Sequence, residues 1–181
     1  MTLQSAYGLL AQALVFGAET ALLPLGAFRG RVALAATALS LMIGIAPIML
    51  AVFGPPSLTL LGLALRALAG QTPGLLTWRP ALLVVGLGSA LALSAAIMLG
   101  DLYALGYQPW PLLATLLPVG LALWWRGRTD WLLILGGGLL AYAGGLFANL
   151  WRALLDPLLI LLAAAVLLRE LLVRLSAARH R

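Results

Sequence analysis

The sequence predicts an all-α, polytopic integral membrane protein with about seven transmembrane helices, or six if residues 58–76 form a re-entrant segment. Its composition supports this fold class, because 64% of the 181 residues are hydrophobic and only 9% are charged, whereas soluble domains carry about 25% charged residues. The chain also divides into apolar runs, several of them close to the roughly 20 residues that cross a bilayer as a helix. Short proline- and glycine-rich breakers separate these runs. We therefore expect one transmembrane helical domain over residues 1–181 and no soluble domain.

The predicted elements are one N-terminal span followed by three helical hairpins. The seven spans cover residues 5–27, 32–53, 58–76, 80–100, 111–125, 131–150 and 157–175. Proline opens the return helix of each hairpin, at Pro56, Pro111 and Pro157. This regularity fits either a duplicated hairpin or the general preference of proline for the first turn of a helix.

The second and third predicted spans are the least regular part of the pattern. Pro47 lies inside the second span and predicts a kink, because proline removes a backbone donor and its ring clashes with the preceding turn. Residues 54–57, Gly-Pro-Pro-Ser, are a strong breaker. Residues 58–76 are apolar but have Arg66 at their middle, so a span, a re-entrant hairpin and an interfacial helix are all compatible with this segment.

The 11 basic residues are all arginine and predict the orientation of the chain. If seven helices span, the turns that contain Arg29, Arg79 and Arg126 fall on the same side as the arginine-rich C-terminal tail. The positive-inside rule then places this side in the cytoplasm and the N-terminus outside. Because the first positive charge is Arg29, the basic segment of a cleavable signal peptide is missing, and we expect the first span to be retained. The predicted location is the cytoplasmic (inner) membrane of the cell, as a multi-pass protein.

The chain has no cysteine and a single histidine, His180. Disulfides, thiol chemistry and iron–sulfur clusters are thereby excluded, and a haem or zinc site that needs several histidines cannot be built within one chain. No Gly-rich phosphate loop follows a strand, and no serine-based nucleophile motif is found. We expect no cofactor and no metal site. The arginines are scattered between apolar runs, which disfavours nucleic-acid binding.

Two stripes of small residues recur at every fourth position, which places each stripe on one helix face. The stripes consist of Gly88, Ala92 and Ala96, and of Gly137, Ala141 and Gly145. Small side chains let two helices approach closely in lipid, where hydrophobic burial does not drive association. The stripes predict packing of these spans against other helices, either within the chain or in a partner protein.

Glu19 and Arg66 are the two charged residues deepest in apolar runs. An isolated charge at the bilayer centre costs roughly 2.5–3.5 kcal/mol on insertion scales, so we expect the two side chains to pair. The pair is either structural, or a relay or counter-charge for a transported solute. In a further alternative, Arg66 extends its guanidinium to the membrane surface from a shallow helix.

A second group of polar and aromatic residues is predicted to gather at the outer membrane face. Its members are Asp101, Tyr103, Asn149, Trp151, Arg152 and Asp156. They form a polar pocket for a lipid headgroup, a sugar or an ion, or else they are helix caps and interfacial aromatics. Asp156 directly precedes Pro157 and so has the position of an N-cap. Arg152 lies four residues earlier, close enough to pair with it.

These features favour a non-catalytic membrane subunit that packs against other membrane proteins, or against copies of itself, in a larger envelope-assembly or respiratory complex. Membrane lipids and other integral membrane proteins are the expected partners. The alternative is a small transporter or flippase for a lipid, an ion or a small polar solute that uses Glu19 and Arg66. An intramembrane enzyme with Asp101 and Asp156 as acid and base is the least favoured class.

Overall fold

The computed structural model describes residues 2–23, 25–70, 76–96 and 102–179. All regular structure in these four segments is helical, and they contain no strand, which confirms the predicted all-α class. The nine α-helices found there are α1 (Leu3–Thr20), α2 (Arg29–Met42), α3 (Ile45–Phe53), α4 (Leu58–Leu68), α5 (Trp78–Ala96), α6 (Pro109–Trp125), α7 (Thr129–Ala143), α8 (Leu150–Leu154) and α9 (Pro157–Arg179). Two short 3-10 turns, Gly26–Phe28 and Ala104–Gly106, precede α2 and α6.

No single described helix combines the length and the hydrophobicity that a membrane span requires, whereas Gly26–Met42 and Ile45–Phe53 meet both criteria together as a pair bent by 75°. The bend lies at Gly44, whose φ of 84° is in the left-handed region, where glycine has no Cβ to clash. The kink predicted at Pro47 is therefore wrong in position. Pro47 is the third residue of α3. A backbone N–H at this position has no partner within the helix, so the N–H that proline lacks is not missed there.

Contacts between helix termini define two ends of the molecule. At one of them, called the arginine end, the C-terminus of α4 meets the N-termini of α2 and α7. Arg29 Nη2 donates a hydrogen bond to a carbonyl at the end of α4 at 2.6 Å, and Arg66 forms an ion pair with Asp130. Arg174, late in α9, lies 5.1 Å from the ring centroid of Trp78 at the start of α5.

The opposite end, called the Asp156 end, collects the N-termini of α4, α8 and α9. Asp156 accepts a hydrogen bond from the backbone N–H of Ser57, just before α4. Asn149, just before α8, donates to the carbonyl of Tyr103, which precedes α6. Tyr7 of α1 donates to a carbonyl of the α3–α4 turn at 2.7 Å, so the start of the chain belongs to this end too.

Apart from the five-residue helix α8, which stays at the Asp156 end, successive passes of the chain run in alternating directions between the two ends. The bent pair α2–α3 makes one pass, and α1, α4, α5, α6, α7 and α9 make one pass each. Of residues 58–76, α4 covers 58–68 and runs from the Asp156 end to the arginine end, although its 11 residues give a helix only about 16 Å long. Residues 71–75 lie outside the described part of the chain.

Two clusters of buried residues hold the helices together. The larger joins α1, α4, α5 and α9 and includes Val15, Leu60 and Leu159. The smaller lies at the Asp156 end and includes Leu112 of α6 and Phe147 after α7. Helices of the predicted second hairpin take different partners, since α5 makes its most extensive contact with α9 and α6 packs on α7.

Large apolar side chains remain on the surface of the helices. Trp125 is 90% exposed, Met42 82% and Trp110 80%. Exposed leucines occur on α1, α2, α4, α5, α6, α7 and α9. The buried clusters thus account for only part of the hydrophobic residues, and many of the large apolar side chains in the described segments are exposed.

Candidate functional site

A cavity of about 600 Å³ opens at the Asp156 end, between α3, α5, α8 and α9. Six of the predicted site and helix-packing residues line it: Gly88, Ala92, Tyr103, Trp151, Arg152 and Asp156. The remaining walls are glycine, proline and apolar side chains, the last being Val52, Phe53, Leu91, Leu155 and Ile160. The cavity therefore combines a few polar side chains with walls that are mostly apolar.

Asn149 organises the loop that carries the polar side chains. Its Oδ1 accepts the backbone N–H of Trp151 at 2.8 Å and so caps α8, while its Nδ2 donates to the carbonyl of Tyr103 at 3.1 Å. Gly106 lies so close that a Cβ there would be 2.7 Å from Asn149 Cγ. Trp151 Nε1 donates to the carbonyl of Leu102 at 2.9 Å. These bonds hold the loop before α8 against the chain that leads into α6.

Arg152 is exposed and lines the cavity. Its Nε donates to the hydroxyl of Tyr103 at 3.1 Å, and the ring of Tyr103 lies edge-on to Tyr107 with centroids 6.0 Å apart. Among the carboxylates that the structure describes, none lies within ion-pairing distance of this guanidinium. The predicted pair between Arg152 and Asp156 therefore does not form.

Asp156 is only 6% exposed, and backbone donors occupy both of its carboxylate oxygens. Oδ1 accepts the N–H of Leu159 at 2.8 Å, which caps α9, and Oδ2 accepts the N–H of Ser57 at 2.7 Å. Ser57 in turn caps α4, because its Oγ accepts the N–H of Leu60 at 3.2 Å. A negative charge between two helix N-termini is favourable, since it faces the positive ends of both helix dipoles. Both oxygens of Asp156 are therefore used in capping, and of the charged residues described in the cavity lining, Arg152 is the one able to bind a ligand.

Comparison with protein-family models, with curated proteins and with solved structures finds no match to this chain. The chemistry of the cavity is therefore inferred from its own residues. Within the described segments, no three His, Cys, Asp or Glu side chains come close enough together to hold a metal ion. Asp101, the remaining member of the predicted outer-face group, lies outside those segments.

The charge predicted to pair with Glu19 has a different partner. Arg66, in the last turn of α4, pairs with Asp130 in the first turn of α7, and Arg128 Nε lies 3.9 Å from the same carboxylate. Both sites suit the helix dipole, with the cation at a C-terminus and the anion at an N-terminus. Glu19 is exposed near the end of α1, so the structure corrects the predicted pairing. Arg66 and Asp130 border a smaller cavity of about 300 Å³ whose other walls are apolar or glycine.

The small residues of α5 have unequal roles. Gly88 lies directly against α9, since a Cβ there would be 2.8 Å from Ile160 Cδ1. Ala92 lines the cavity, and Ala96 is exposed. Only the first of the three therefore brings two helices together within the chain.

The stripe predicted on α7 is only partly used for packing within the chain. A Cβ at Gly137 would meet open space, Ala141 packs beside the smaller buried cluster, and Gly145 has a φ of +73° in the turn after the helix. The close approach is made instead by Gly138, where a Cβ would lie 2.8 Å from Leu154 Cδ2. One residue rotates the helix face by about 100°, so Gly138 and Gly137 face different directions, and packing of the Gly137 face against a partner protein stays a prediction.

Gly17 and Gly62 are packing residues that the stripes did not reveal. A Cβ at Gly17 would lie 2.8 Å from the carbonyl oxygen of Ala33 in α2, and one at Gly62 would lie 2.6 Å from Ile134 Cγ1 in α7. The sequence signal for such contacts is an isolated glycine inside an apolar helix. Glycine weakens a helix interior, so its presence there indicates a position where a second helix packs closely.

Proposed function

We propose that this chain is a polytopic protein of the cytoplasmic membrane and a non-catalytic subunit that packs against other integral membrane proteins of an envelope-assembly or respiratory complex. The apolar surface is the observation that carries this proposal. Trp125, Met42 and Trp110 are at least 80% exposed, and exposed leucines occur on seven of the nine described α-helices. Large exposed apolar surfaces mark contact with a membrane or a partner protein. Lipid chains or the apolar helices of a partner cover such side chains without the free-energy cost of exposing them to water.

The separation of polar groups between two ends supports a transmembrane orientation. Contacts of Arg29, Arg66, Arg128 and Arg174 all lie at the arginine end, which the positive-inside rule assigns to the cytoplasm. The Asp156 end, where Trp151 is one of the aromatic residues, then faces outside together with the N-terminus. An odd number of passes between the ends agrees with termini on opposite sides of the membrane.

The use of charged groups supports a structural role. Arg29 binds the end of α4, Arg66 joins α4 to α7, and Asp156 joins α4 to α9. A proton or ion relay needs several titratable groups in series, whereas these groups are spread over separate helix–helix contacts. The proposed subunit therefore supplies a scaffold and a packing surface rather than chemistry.

Alkaline carbonate extraction tests the membrane location. A protein embedded in hydrocarbon is expected to stay in the membrane pellet at high pH and to be released only by detergent. Recovery in the carbonate supernatant would contradict the membrane proposal as a whole.

Photo-crosslinking in native membranes tests the subunit role. A photoreactive amino acid is placed at Leu117 on α6 or at Leu83 on α5, which are 74% and 69% exposed. A subunit is expected to give a discrete protein adduct from at least one of these faces, and a second copy would double the mass. Lipid adducts alone from both faces would contradict the subunit role and leave the membrane location intact.

The cavity beside Arg152 favours a second candidate, a small transporter or flippase for a lipid. A flippase is expected to speed the movement of a fluorescent phospholipid between the two leaflets of a proteoliposome, and Arg152→Gln should slow it. Movement at the rate of protein-free vesicles would remove this candidate.

A further inference from the structure

We propose that the cavity at the Asp156 end binds an anionic phospholipid, with Arg152 contacting the phosphate and the apolar walls holding the first part of an acyl chain. The inference rests on the membrane location proposed above. It concerns a bound lipid that serves the subunit as a ligand, and it does not require transport.

The cation of this site is already oriented. Arg152 Nε donates to the hydroxyl of Tyr103 at 3.1 Å, while Tyr103 is itself tied to Asn149 through its carbonyl at 3.1 Å. A guanidinium has five N–H donors in a rigid fork. One of them is used by Tyr103, and no described carboxylate pairs with the group. The terminal nitrogens have the geometry that binds two oxygens of a phosphate.

The walls of the cavity select an amphiphile over a small ion. The cavity volume of about 600 Å³ lies within the range of roughly 300–1,000 Å³ found for ligand sites. The cavity is therefore far larger than a phosphate ion. Val52, Leu91 and Ile160 form apolar walls, and Gly88 and Ala92 leave room between them. A free phosphate would leave this apolar surface in contact with water, whereas an acyl chain covers it.

Asp156 does not cancel the charge of Arg152. Its oxygens accept backbone N–H groups at 2.7 and 2.8 Å, and two helix N-termini offset its charge. Among the described residues that line the cavity, the charge left to attract a ligand is therefore positive. Trp151, which also lines the cavity, adds an indole of the kind that lies at the headgroup level of a bilayer.

Binding is measured on the full chain in detergent by native mass spectrometry, with titration of phosphatidylglycerol. Arg152→Gln removes the charge, and Ala92→Phe fills the cavity from α5. The matched controls are Arg126→Gln, an exposed arginine at the other end, and Ala90→Phe, an exposed alanine of the same helix outside the cavity.

Both test variants are expected to weaken phosphatidylglycerol binding by about tenfold or more, which corresponds to about 1.4 kcal/mol, while the controls stay within about twofold. Equal binding by the wild type and all four variants would overturn the proposal. Thermal unfolding midpoints close to that of the wild type show that the variants are folded. The two test variants alter different walls of the cavity, so if one variant does not fold, the other still tests the proposal.

Competition separates the sources of the phosphate. Phosphatidylglycerol should bind more tightly than phosphatidylcholine, whose headgroup has no net charge, and inorganic phosphate at the same concentration should displace little of it. Displacement by inorganic phosphate would assign the site to a free anion and overturn the lipid proposal. Carbonate extraction tests the membrane location independently of lipid binding. A result against the membrane proposal is therefore distinguishable from a result against the lipid site.

Discussion

Asp156 and Ser57 lie 99 residues apart in the chain, yet the carboxylate Oδ2 of Asp156 accepts the backbone N–H of Ser57 at 2.7 Å. Since the other oxygen caps α9, one side chain fixes where α4 and α9 begin relative to each other. Ser57 is fully buried, so its N–H has no access to solvent. A buried donor without an acceptor costs about 1–3 kcal/mol.

Asp156→Ala is expected to lower the free energy of unfolding by about 2–4 kcal/mol, because it removes an N-cap and leaves the Ser57 N–H unpaired. Asp156→Asn keeps one acceptor oxygen and should lose less. Tryptophan fluorescence during thermal unfolding in detergent measures the order of the midpoints. Glu170→Ala is the control, since its exposed pair with Arg174 is worth only about 0.3–0.5 kcal/mol. An Asp156→Ala midpoint equal to that of the control would argue against the link.

The ion pair between Arg66 and Asp130 predicts energetic coupling between these two positions. In a double-mutant cycle, Arg66→Gln and Asp130→Asn should be less than additive by about 0.5–1 kcal/mol, since the pair is partly exposed. The same cycle with Glu19→Gln in place of Asp130→Asn should be additive. Coupling of Arg66 to Glu19 instead of Asp130 would restore the pairing expected from the sequence and refute the structural one.

Gly17→Ala is expected to destabilise the contact between α1 and α2. The added Cβ would lie 2.8 Å from the carbonyl oxygen of Ala33, and backbone atoms cannot turn aside as the end of a side chain can. Overpacking of this kind costs about 1–3 kcal/mol. Gly136→Ala, in α7 where a Cβ meets open space, should be neutral or stabilising because alanine favours a helix. Equal thermal midpoints for the two variants would contradict the close approach.

Single cysteines test the orientation, because the chain has none of its own. Gln108→Cys lies at the Asp156 end and Arg128→Cys at the arginine end, and both positions are exposed. In intact spheroplasts of an expression host, an impermeant maleimide should label position 108 and reach position 128 only after the membrane is opened. Labelling of both positions in intact spheroplasts would show that the two ends share one compartment.

Features that depend on local chemistry were predictable from the sequence. The all-α class follows from composition and breakers, and the Gly-Pro-Pro-Ser breaker at residues 54–57 forms the turn between α3 and α4. Asp156 caps α9 as its place before Pro157 indicates. Tyr103, Trp151 and Arg152 meet beside it because alternating passes return these turns to the same end.

Features that depend on tertiary packing were not predictable. The sequence does not show whether Arg66 pairs with Glu19 or with Asp130. Only the packing of α4 against α7 selects Asp130. Gly44 and Pro47 are both helix breakers, and the left-handed φ of Gly44 decides between them. Residue spacing on one helix does not settle which face a second helix covers, since Gly88 contacts α9 whereas a Cβ at Gly137 would meet open space.

The hydrogen bond between Ser57 and Asp156 also imposes an order on biosynthesis. The ribosome completes the first four helices, which end at Leu68, long before it reaches the acceptor of that bond, so the Ser57 N–H of the nascent chain lacks this partner. We expect the amino-terminal segment to be more open to proteolysis until α9 is translated and docks, because local opening is easier where contacts are missing. In a pulse–chase experiment, a truncated chain that stops at residue 155 should be cleared much faster than the complete one.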